Sequence, residues 1–104
     1  MQVVFEVIPM NFDKIVERRL TLVDEATGVQ TALHIQIGRP QWTEVDVEAR
    51  CPVLILGLMD AALDIYGSDL LNALECALRF VNTELSNVSS PSKVLWPDGE
   101  AYFD

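Results

Sequence analysis

The chain is poor in the residues from which metal centres and disulfide frameworks are built. Two cysteines and one histidine occur in 104 residues. A structural zinc site takes about four ligands, usually as paired C-x-x-C or C…H clusters. Cys51 and Cys76 stand far apart in sequence with only His34 to join them, so no metal site is expected. A chain that is 50% apolar by count also has no need of a disulfide staple. Two free, structural thiols fit a reducing compartment. Long apolar runs are missing too. Pro52 to Met59 falls far short of the ~20 residues that cross a bilayer. The opening Met1-Gln2-Val3-Val4-Phe5-Glu6-Val7-Ile8-Pro9 has no basic region and carries Glu6 in its middle, so it does not read as a signal peptide. A cytoplasmic protein with no membrane contact is the expectation.

Bases are equally scarce. Seven Lys and Arg against sixteen Asp and Glu give a net charge of −9 and an isoelectric point near 4.3. Such a chain repels nucleic acid and attracts a basic protein surface. Mean hydropathy is +0.23, too high for intrinsic disorder, which needs low hydrophobicity together with high net charge. The length suits one domain over residues 1–104.

Along the chain, Val3 to Ile8 reads as a short strand closed by Pro9, with Met10-Asn11 as a turn. Ile15 to Val23 alternates with period two, and Asp24-Glu25-Ala26-Thr27-Gly28 fits a hairpin loop. Thr31 to Ile37 is the clearest alternation. Leu33, Ile35 and Ile37 share one face, with Ala32, His34 and Gln36 on the other. Gly38-Arg39-Pro40 ends it. Val45 to Leu58 reads as one long strand with Val45, Val47, Ala49 and Cys51 inward, Glu44, Asp46, Glu48 and Arg50 outward, and a bend at Pro52. Ala61 to Ile65 supplies another alternating run. Ser68 to Leu85 is an amphipathic helix, with Leu70, Leu74, Ala77, Leu78, Val81 and Leu85 as its core stripe. Ser68 is the expected N-cap, and Asn87 the expected left-handed residue past the end. Lys93 to Trp96 suits a final strand. Strands in sequence followed by one helix predict an α+β fold, a mostly antiparallel sheet of about 4–6 strands packed on one main C-terminal α-helix.

Several short motifs recur in a recognisable order: Glu17-Arg18-x-Leu20-x-Leu22, Ile37-Gly38-Arg39-Pro40, and Cys51-Pro52 with Gly57-Leu58 behind it. Tyr66-Gly67-x-Asp69 then opens a helix bearing Ala73-Leu74 and Ala77-Leu78. From about Ile15 to Trp96 this succession resembles a family of short bacterial proteins classed as a domain of unknown function. Two positions depart from that pattern. Ala49 stands where the family usually has tryptophan before Cys-Pro, and Asn72 where it often has glutamine before Ala-Leu. The resemblance implies the same fold class and brings no catalytic residues with it.

Chemistry is thinly represented. A nucleophilic thiol needs a base within hydrogen-bond reach and a group that orients the base. Cys51 falls at a core position and His34 on the polar face, so neither is expected to act. No D-x-D-x-D-G calcium loop occurs, and neither Gly turn is followed by the Lys-Ser/Thr of a phosphate loop. No catalytic residue and no cofactor is therefore assigned. The remaining candidate is a surface. Glu44, Asp46 and Glu48 alternate, so in a strand they share one face, and Trp42 has the same parity. The expected function is a small acidic protein-binding module using Trp42, Glu44, Asp46 and Glu48. Its partner would be a basic protein such as a bacterial toxin domain, countered in the manner of an immunity protein or antitoxin. The alternative is a small homo-oligomeric, for example homodimeric, scaffold or regulatory protein.

Overall fold

A computed structural model describes residues 12–103; the expected strand Val3 to Ile8 and its turn lie outside them. The described elements, in chain order, are β1 (Lys14–Asp24), β2 (Gln30–Gly38), β3 (Gln41–Glu44), β4 (Glu48–Leu56), β5 (Leu63–Gly67), α1 (Leu70–Ser86) and β6 (Ser92–Leu95). The α+β reading holds: six strands form one sheet, every strand pair is antiparallel, and a single helix packs on it.

β4 organises the sheet. Val53 pairs with Ile37 of β2 on one side and Leu63 of β5 on the other, while Ala49 pairs with Trp42 of β3 and Gly67 of β5. β2 and β3 therefore run along the same edge of β4, as one strand interrupted at Arg39-Pro40. Pro52 sits in β4 opposite that interruption. A residue with no N–H is tolerated mid-strand where the ladder is already broken. β1 continues the sheet beyond β2, and β6 closes it beyond β1.

The core lies on one face of the sheet. Leu20 from β1, Leu33, Ile35 and Ile37 from β2, and Ala49, Cys51, Val53 and Ile55 from β4 are all buried there. They meet Ala73, Ala77, Val81 and Leu85 of α1. This corrects the expected helix stripe: Leu78 is 50% exposed and Leu70 37%. The reason is close approach. A Cβ on Gly67 would collide with the backbone of Asn72 and Ala73. Missing that Cβ, β5 lets the helix settle on its two alanines, and the larger leucines are turned aside.

The helix boundaries also shift by one residue. Asp69, in extended conformation, is the N-cap, and its carboxylate accepts the Asn72 N–H at 2.7 Å. Asn72 Oδ1 reaches back to the Ser68 N–H at 2.9 Å, a reciprocal arrangement like a capping box. Asn87 closes the helix in right-handed conformation (φ −80°), not the left-handed one expected.

Candidate functional site

The acidic segment is a hairpin tip, not a straight strand. Val45, Asp46 and Val47 form the turn between β3 and β4, closed by the Val47 N–H donating to Glu44 O at 2.9 Å. Asp46 takes φ 63°, a left-handed conformation that Asp tolerates better than most residues. Glu44 and Glu48 are direct cross-strand partners. The three carboxylates are thus gathered, but at the end of a β-hairpin instead of along a row. Val45 and Val47, expected in the core, are 68% and 57% exposed at the tip between them.

Trp42 does not belong to this group. It pairs with Ala49, whose side chain is in the core, and packs half-buried against the core cluster. Glu44 pairs one position away, with Glu48, because the register shifts between Trp42 and Glu44. That bulge breaks the parity on which a shared face depended. Thr43, at the bulge, donates from Oγ1 to Glu48 Oε1 at 2.6 Å and to Glu48 O at 3.1 Å, tying the two strands together.

Charge is distributed unevenly around this tip. Lys14 and Arg19 approach Glu17, Arg39 pairs with Asp13, Arg50 with Asp64, and Lys93 with Glu25. Arg18 lies over the rings of Trp96 and Tyr102. Among the described residues none of these cations pairs with Glu44, Asp46 or Glu48. The tip presents the exposed Glu44, Asp46 and Glu48 carboxylates around the exposed Val45 and Val47.

The thiol and the imidazole are separated by the sheet. Cys51 is wholly buried on the helix side, its Sγ–H directed at Gly38 O at 3.4 Å. Burial, reinforced by the Asp64 carboxylate, pushes its pKa up to about 11. His34 precedes core-facing Ile35 and so lies on the opposite face. There Gln36 Nε2 donates to its Nδ1 at 3.2 Å, and its Nε2 faces Glu17 Oε1. The His34 hydrogen bond, helped by Lys14, holds the Glu17 carboxyl below its ordinary range. Cys51 and His34 cannot act on each other. Among the described residues no group of three or more His, Cys, Asp or Glu side chains could hold a metal, and no helix is long and apolar enough to cross a membrane.

The outer face differs from a simple solvated surface. Gln36 is buried, and Leu54 is 0% exposed although it lies opposite the helix. The run Val53-Leu54-Ile55-Leu56, apolar on both faces, already pointed to a covered second half of β4, whereas Gln36 was expected on the solvated face and is buried.

The hairpin and its sheet define a small α+β protein with an exposed acidic tip that meets no cation among the described residues. Compared with known proteins, the chain matches no family model, no curated protein and no solved structure.

Proposed function

We propose that this is a small acidic protein-binding module that sets the β3–β4 tip against a Lys/Arg-rich protein domain. The observation that carries the reading is the juxtaposition of three carboxylates, without a cation partner among the described residues, with two exposed valines, on a hairpin braced by Thr43. Carboxylates at a rim accelerate and orient encounter with an oppositely charged surface. Apolar side chains at the centre of such a contact supply the buried area that slows dissociation. A nucleic-acid-acting bacterial toxin must itself be basic to hold its substrate. Inhibition of such a domain is the form of this function that the chain's size and charge of −9 fit. Membership of the bacterial family of unknown function that the motifs resemble belongs to the same proposal.

The test begins with affinity capture from the native host and continues with association kinetics on the captured partner. Glu44→Lys with Glu48→Lys should slow association severalfold or more at low salt, and added salt should slow the wild type in the same direction. Val47→Asp should mainly speed dissociation. Unchanged association by the charge-reversed protein at low salt would remove the hairpin from the interface.

A further inference from the structure

Leu54 is a large side chain whose burial the described elements do not explain. It alternates with the core-facing Val53 and Ile55 and pairs with Gln36, which pairs in turn with Glu17. All three therefore point away from the helix. On a single-layer face a side chain is screened by its lateral neighbours and open from above, so an exposure of 0% needs atoms over it. Among the described residues there is one sheet and one helix, and the helix lies on the other face. Gln36 poses the same question in polar form. Its side chain is buried, its Nε2 donates to His34 Nδ1, and among the described residues nothing donates to its Oε1. A buried amide carbonyl is rarely left without a donor.

The chain enters this face at Phe12. A Cβ on Gly38 would stand 2.6 Å from Phe12 Cδ1 and 2.4 Å from Pro52 Cγ. Gly38 and Pro52 share the parity of Gln36 and Leu54, so the Phe12 ring lies on the outer face. Asp13 fixes the entry: its O accepts the Arg39 N–H at 2.8 Å, and its Oδ2 accepts from Arg39 Nε at 2.7 Å. Gln36 and Leu54 lie two residues along the strands from Gly38 and Pro52, about 6.6–6.8 Å away. Two residues of extended chain, at ~3.3–3.6 Å each, span that distance. We propose that residues 3–11 lie across the outer face as a strap, with Ile8 and Met10 over Leu54 and a backbone N–H donating to Gln36 Oε1. Two arguments fix the occupant. Leu54 is fully covered within a single chain, so the cover belongs to the chain itself and not to a partner. Outside residues 12–103, Asp104 is one acidic side chain, whereas the segment ending at Asn11 brings Ile8 and Met10 directly ahead of Phe12. The sheet is then held between α1 and the strap, and its outer face is closed to a foreign partner.

The experiment places a nitroxide on the full chain through Glu6→Cys in a Cys76→Ser background, where the remaining Cys51 is buried. Methyl spectra are compared before and after the nitroxide is reduced. The Leu54 methyl signals should be lost while the nitroxide is oxidised and return on reduction, with those of Leu78 and Leu85 on α1 kept throughout. Leu54 signals that survive beside the oxidised label overturn the proposal. Loss at Leu78 in their place does so too, because the segment would then lie on the helix side. A second measurement reads the cover directly. The thiol of Leu54→Cys, again with Cys76→Ser, should resist a thiol reagent in the folded chain, and adding Met10→Asp should abolish that protection with the circular dichroism unchanged. If Met10→Asp loses its fold, Ile8→Asp takes its place. Protection that persists in the folded strap variant means that something other than residues 3–11 covers Leu54.

Discussion

Leu85 and Leu78 are seven residues apart on α1, chemically identical, and placed by the fold in different surroundings. Leu85 is 1% exposed within the core, and Leu78 is half exposed at the surface. Truncating Leu85 to Ala removes buried methyl groups and leaves a closed cavity, which costs about 2–5 kcal/mol. A domain of this size has a total stability on the order of 5–15 kcal/mol. Truncating Leu78 gives up only part of the ~1.5–3 kcal/mol of a fully buried side chain and leaves no closed cavity, so about 1 kcal/mol is expected. Urea titration followed by tryptophan fluorescence reads the difference, because Trp42 and Trp96 both pack against the core. With a slope of about 1–3 kcal/mol per molar urea, a loss of ~3 kcal/mol lowers the midpoint by roughly 1–3 M. The Leu78→Ala shift should be about a third as large. If Leu78→Ala lowers the midpoint as much as Leu85→Ala, Leu78 is buried as deeply as Leu85 and its half-exposed placement is wrong.

Two further outcomes follow from the site geometry. With its pKa pushed up to about 11, native Cys51 should resist a thiol reagent at neutral pH while half-buried Cys76 reacts first and both react in urea; rapid labelling of native Cys51 would show that it is accessible. The same shift has a stability sign. The neutral thiol's contribution is complete below the ordinary thiol range, near ~8.5, and is lost as pH rises towards about 11, because the unfolded chain releases the proton first. A Cys51→Ala variant should lack that alkaline decline in its thermal midpoint. Asp46→Val should destabilise by about 1–2 kcal/mol, since a β-branched residue at φ 63° is strained, whereas Asp46→Gly should not; equal midpoints for the two would mean that the turn does not hold that conformation.

Much of the architecture was legible because it is local. In β2, Leu33, Ile35 and Ile37 alternate with Ala32, His34 and Gln36, and a period-two pattern selects one inward face whatever the neighbouring strands are. The existence of α1 followed from apolar spacing, while its start was read one residue early, with Ser68 as the cap where Asp69 serves. Cys51 was readable as a core position for the same reason. What one sequence could not reveal depended on which backbone segments approach one another. Val45-Asp46-Val47-Glu48 continues an alternating pattern without a Gly or Pro to interrupt it, so nothing local distinguishes a hairpin turn from a continuing strand. The pairing of Glu44 with Glu48, and the bulge that throws Trp42 onto the other face, decide it. α1 carries more apolar residues than one face can bury, as Leu70, Leu71, Leu74 and Leu78 beside Ala73, Ala77, Val81 and Leu85 already show. Hydrophobicity alone favours the leucines for the core. The tertiary structure chooses the alanines, because at Gly67 two backbones can meet only where both side chains are small, and that choice leaves Leu70, Leu71 and Leu78 exposed.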